Sequence, residues 1–167
     1  SSFTTTAFTG KTADLSKSIS NIGYGFYYWK VRAIDNYGNV GSWSTGSTFD
    51  IADVTNPELA ITGNPEKWTN QPVTISAIAS DTESGIKSIE YSTDNKNWKA
   101  GSSVSVDANC VVYFRVTDND GNQVKGNISV TKLDTTAPTV EISGNTEQLT
   151  NQNVVLEVST SDNASGI

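Results

Sequence analysis

The side chains of this chain that could do chemistry are carboxylates, and the chemistry open to them is narrow. Asp and Glu number 18 against 11 Lys and Arg, and the 167 residues hold no His, no Met and one Cys. Without His, no Ser-His-Asp or Cys-His arrangement can be assembled within the chain, nor any His-containing zinc site. Cys110 alone makes neither an intrachain disulfide nor a multi-Cys metal cluster. What remains is oxygen chemistry. Carboxylates held close together repel unless a hard cation sits among them, and calcium accepts roughly six to eight oxygens. The candidates are Asp53, Asp81, Glu83, Asp118, Asp120, Asp134 and Asp162. All of them fall in short linkers or turn-like segments, so their value depends on what brings them together.

A repeat organises the chain. Residues 53–86, DVTNPELAITGNPEKWTNQPVTISAIASDTESGI, align without a gap on residues 134–167, DTTAPTVEISGNTEQLTNQNVVLEVSTSDNASGI, at an offset of 81, with 16 of 34 positions identical. Pro57/Pro138, Gly63/Gly144, Asp81/Asp162 and Gly85/Gly166 are among the identities. A weaker match sets YYWKVRAIDNYGNV, starting at Tyr27, on VYFRVTDNDGNQV, and superposes Asp35 on Asp118 and Gly38 on Gly121. Self-similarity at a fixed period is the mark of a tandem array. On this reading 53–133 is one complete unit. Residues 1–52 are the C-terminal half of a preceding module, and 134–167 the N-terminal half of a following one.

Alternation with period 2 predicts that nearly every segment is a strand. Val73, Ile75, Ala77 and Ala79 share one face, with Thr74, Ser76 and Ile78 on the other; Val112, Phe114 and Val116 make a second inward row. Tyr27, Trp29, Val31 and Ala33 are read as the matching inward row of the first segment, which makes Trp29 a core residue. Strands are expected near 58–62, 72–79, 86–92, 97–99, 103–106, 111–117 and 124–132. Short strands separated by turn signals predict an all-β fold of two stacked antiparallel sheets.

YYWKVRAIDNYGNVGSWS (residues 27–44) resembles the last two strands of bacterial fibronectin type III modules. DTTAPTV, SDTESGIKSIEYSTDNKNW and FRVTDNDGN resemble bacterial Ig-like repeats. The resemblance implies tandem Ig-like and fibronectin type III-like sandwiches on a large cell-surface or secreted, extracellular protein. In such a sandwich the loop between the second and third strands and the loop between the sixth and seventh lie at the pole where the chain comes in. That would gather Asp53, Asp81, Glu83, Asp118 and Asp120 at one junction, with Asp134 and Asp162 placed equivalently at the next. Two uses follow: Ca²⁺ stiffening the junctions, or Asp53 and Asp134 capping the linkers while the others are solvated turn residues. DNYGN and DNDGN themselves read as tight hairpin turns, with Gly38 and Gly121 at positive φ.

The net charge of −7 argues against nucleic acid as a partner, and no apolar run reaches the ~20 residues that direct membrane insertion needs. Cys110, which matches Tyr27, is expected to face inward and be inert. Trp43, Trp68 and Trp98 are the aromatics that could stack on a sugar. No nucleophile–base pair can be drawn, so no catalysis is expected. The function read from the sequence is that of non-catalytic spacer repeats projecting a domain elsewhere in the protein, with neighbouring repeats as partners. The alternatives are an adhesive module, an adhesin for a host surface protein or glycan, or an accessory module of an extracellular polysaccharide-degrading enzyme.

Overall fold

Alternating apolar and polar residues give a strand one face to bury, and the architecture follows from pairing such faces. The computed structural model describes residues 8–144 and 151–167; the stretch 145–150 of the second repeat copy lies outside them. The strands are β1 (Gly25–Trp29), β2 (Ser47–Ile51), β3 (Glu58–Thr62), β4 (Val73–Ser80), β5 (Ile86–Ser92), β6 (Lys99–Ala100), β7 (Ser103–Val106), β8 (Cys110–Asp118), β9 (Gln123–Val130), β10 (Thr139–Ser143) and β11 (Glu157–Ser161). The described residues contain no helix.

Residues 53–133 form two antiparallel sheets, β3-β4-β7 and β6-β5-β8-β9. Ile75, Ala77 and Val106 from the first meet Val112, Phe114 and Val130 from the second in one buried cluster, which Leu133 closes. Ile75, Val112, Phe114 and Val116 are wholly buried, whereas Ile78 on the opposite face of β4 is exposed, as alternation requires. At Gly126 the β9 backbone lies so close to Ile61 and Leu59 that an added Cβ would stand 3.1 and 3.2 Å from their methyl groups. Pro57 immediately precedes β3, an edge strand, where its missing N–H costs no ladder bond. Cys110 packs against the core; burial, with Asp107 nearby, pushes its thiol pKa up, which keeps it protonated and unreactive.

The repeat in the sequence is also a repeat in register. In β3–β4, Glu58 pairs with Ser80 and Thr62 with Ser76; in β10–β11, Thr139 pairs with Ser161 and Ser143 with Glu157, each 81 residues on. Gly63 and Gly144 end β3 and β10 at φ of 98° and 84°.

The first segment corrects one expectation. The row Tyr27, Trp29, Val31 and Ala33 is not a core: Trp29 is 47% exposed and Val31 and Ala33 are exposed too. β1 and β2 make a two-stranded sheet of their own, with no second sheet against it among the described residues. The alternation is real, but nothing among those residues covers it. Trp43 lies under Arg32 and Lys30, 4.6 and 4.8 Å from its ring, and Trp98 is covered in the same way by Arg115 at 4.5 Å. A cation therefore lies over one face of each of these two indoles, while Trp68, the third candidate, is 44% exposed.

Candidate functional site

The chain comes into residues 53–133 through Asp53 and meets two loops at that pole, β4–β5 (81–85) and β8–β9 (119–122). Carboxylate oxygens of Asp53, Asp81 and Asp118 all lie within 4.8 Å of one another. Three of the five acids predicted to meet here therefore form a tight cluster. Asp53 and Asp118 are buried and Asp81 is half-buried. Asp120 and Glu83 stand beside them in other roles. Asp120 Oδ2 accepts the Asp53 backbone N–H at 2.6 Å, and Glu83 Oε2 contacts the Thr55 hydroxyl.

Each clustered carboxylate is surrounded by donors. Asp53 Oδ1 accepts the Thr55 N–H at 2.8 Å and its hydroxyl at 2.6 Å, while Oδ2 accepts the Ser84 N–H at 3.2 Å. Asp81 Oδ1 accepts the Ser84 and Gly85 N–H groups at 2.8 and 2.9 Å. Asp118 Oδ1 accepts Gly121 and Asn122 N–H at 2.6 and 2.8 Å, and its Oδ2 accepts the Asn122 amide at 2.8 Å. The same Asn122 amide reaches the Asp53 carbonyl at 3.0 Å, tying the hairpin turn to the linker. Among the described residues no buried side-chain polar atom lacks a partner.

These donors set the protonation of the cluster. The Thr55 hydroxyl and N–H, aided by Ser84, hold Asp53 far below the usual carboxylate range despite its burial. Burial alone would raise Asp118, and Asp53 adds to that. The Asn122 amide, with the Asn122 and Gly121 N–H groups, outweighs both and leaves the carboxyl below its ordinary value. N–H and O–H dipoles thus favour the ionised form of Asp53 and Asp118 at this pole. The three carboxylates, several of whose oxygens also serve as caps, offer calcium a partial ligand set.

A pH prediction follows. A carboxyl whose folded pKa is depressed contributes stability that is present above its unfolded value, about 3.9, and is lost as pH falls through the folded one. Thermal melts should be flat from neutrality to mild acid and fall once pH drops below about 4. Asp53→Asn, which cannot ionise, should melt lower at neutral pH and show a shallower acid dependence. An unchanged acid slope would mean that Asp53 carries none of it.

The second copy repeats the device. Asp134 Oδ1 accepts the Thr136 N–H at 3.0 Å and its Oδ2 the Ser165 N–H at 3.0 Å. Asp162 Oδ1 accepts Ala164 and Gly166 N–H at 3.0 and 2.7 Å. Each is the bond made by Asp53 or Asp81, displaced by 81 residues. Asp134 and Asp162 belong to the opposite pole, remote from the first cluster, and no third carboxylate joins them among the described residues. The Ser165 bonds hold Asp134 below the usual carboxylate range.

Residues not singled out in the sequence complete both poles. At the far pole Leu133 is gripped by Asn109, whose amide donates to the Leu133 carbonyl and accepts its N–H, both at 2.9 Å. Thr69 accepts the Asp134 N–H and donates to the Lys132 carbonyl, each at 3.0 Å, beside a parallel bridge to Leu133. In the first segment Asp35 caps its own turn, accepting Tyr37 and Asn39 N–H at 2.9 and 2.8 Å, the second of these bonds matching that of Asn122 to Asp118 in DNDGN. No family model, characterised protein or solved structure matches the chain.

Proposed function

We propose that residues 53–133 are an Ig-like unit of a tandem array, and that the chain is a non-catalytic spacer of a large extracellular bacterial protein. One observation carries this reading. Asp134 is bonded on both sides of a junction, its N–H to Thr69 of the unit behind it and its carboxylate to Ser165 of the segment ahead. A linker bonded to both neighbours resists bending, and a spacer needs that property. The carboxylate half of this clamp repeats that of Asp53 at the repeat period, whereas the Asp53 N–H turns forward to Asp120 of its own unit.

The reading requires no cation and no reacting pair. The carboxylates serve as caps, and the described residues hold a single ion pair, Arg115 with Glu90 at 2.8 Å, on the outer face of the four-stranded sheet. Small-angle scattering from dilute, monomeric chain tests it. The expected profile is that of an elongated particle, unchanged by a chelator, whose maximum dimension becomes more broadly distributed in Asp134→Ala. A wild-type profile already as flexible as the variant's would overturn the spacer reading. A chelator-dependent profile would put Ca²⁺ in the clamp. Specific binding on a glycan array would move the function to the adhesive alternative.

A further inference from the structure

Both ends of residues 53–133 are fastened to the same strand. At the entry, the Asp53 N–H donates to Asp120 Oδ2 at 2.6 Å and the Asp53 carbonyl accepts the Asn122 amide at 3.0 Å. Both partners belong to the turn that follows β8, and Asn122 is itself bonded to Asp118, the last residue of that strand. At the exit, the Leu133 N–H and carbonyl are both taken by the side-chain amide of Asn109, the residue just before β8. The other edge of the exit segment is bonded to the Thr69 backbone, through the Lys132 carbonyl and the Asp134 N–H. Leu133 is thus held at both edges, with its side chain 4% exposed in the core. The main-chain groups of the first and last residues of the unit are therefore gripped by side chains at opposite ends of β8. That strand is well placed to carry a load. It is paired with β5 on one side and β9 on the other, and its Val112, Phe114 and Val116 are wholly buried. Ladder bonds lie across a strand, so a pull along it loads them together instead of one after another. β3 and β9, through which the chain enters and leaves, are edge strands with one ladder each.

We propose that the unit bears tension, and that a pull between its two flanking segments is handed at Asp53 and Leu133 to the two ends of β8, sparing β3 and β9. Asn109, Asp120 and Asn122 are the couplings. This rests on the spacer reading only for where the load is applied. A junction can bend at Asp134 while the unit behind it holds, and a stiff junction can flank a unit that gives way.

Stretching the 167-residue chain in magnetic tweezers, with handles at its two termini, tests it. Residues 53–133 should open in one step, releasing at most roughly 290 Å of extended chain. Asn109→Ala and Asn122→Ala each remove two hydrogen bonds from the couplings. Each should open about tenfold faster under load than wild type, over and above any acceleration it shows in urea without load. Asp94→Ala loses the cap of the 93–97 turn, which lies off this path, and should speed opening by the same factor with and without load. The urea kinetics of every variant separate loss of mechanical coupling from loss of folding. A smaller step before the main one, as β3 or β9 peels away, would overturn the proposal. So would Asn109→Ala and Asn122→Ala behaving as Asp94→Ala does.

Discussion

Gly63→Ala should lower the stability of the central unit by about 2–4 kcal/mol, a drop of roughly 10–25 °C in melting temperature for a body of this size. Gly63 sits at φ 98°, and a Cβ there would stand 2.1 Å from the Thr74 carbonyl oxygen. The obstacle is backbone, held in the β4–β7 ladder, where Thr74 pairs with Ser105, so it cannot swing aside as a flexible side chain would. Gly144→Ala meets the same geometry, φ 84° and 2.1 Å from the Val155 carbonyl. Yet it should leave the main transition nearly where it was, because β10–β11 is a two-stranded sheet that adds nothing to the packing of 53–133. Differential scanning calorimetry of both variants reads the contrast directly. Equal losses would mean that the two copies unfold as one cooperative body, against the division into units.

The contrast between Gly63 and Gly144 bears on what a sequence makes legible. Period-2 alternation locates β3, β5 and β7 to the residue because each is bounded by turn residues and has one buried face. It says which face is apolar, not whether anything covers it. The logic that places Phe114 correctly also puts Trp29 inside, and only the lack of an opposite sheet separates the two. Where that sheet is present, parity reaches further than the turn motif does. Asp118 ends the row Val112, Phe114, Val116 at the same spacing of two, so its burial could be read from β8, although DNDGN draws the eye to a solvated turn.

The acidic cluster was legible in membership and less so in chemistry. Loop positions in a sandwich bring Asp53, Asp81 and Asp118 together, and they do meet. Their partners are mostly backbone N–H groups of Thr55, Ser84, Gly85, Gly121 and Asn122, which no count of side-chain types displays. A cluster judged by its acids alone therefore misses the donors that share its oxygens. The far pole was not legible. Asn109 and Leu133 are 24 residues apart, and an Asn in a Ser/Asp-rich turn carries no sign that its amide will serve as a strand edge for another segment.

Phe114→Ala should have the largest effect of any single change, about 3–5 kcal/mol, because a phenyl ring removed from a packed core leaves a cavity the surroundings only partly fill. Phe114 is fully buried, pairs with Tyr91 on β5 and Gly126 on β9, and shares the core with Ile75 of the facing sheet. Domains are stable by about 5–15 kcal/mol, so the variant would sit near its unfolding threshold at ordinary temperature. Urea titration followed by tryptophan fluorescence should show the midpoint falling sharply with an unchanged slope, and Phe114→Leu should recover much of the loss. Val31→Ala, at the matching position of the first segment, should leave that midpoint unmoved, since Val31 is 57% exposed and touches no core of 53–133. A substantial shift on Val31→Ala would show the first segment packed onto the central unit in solution, and the division at Asp53 would have to be redrawn.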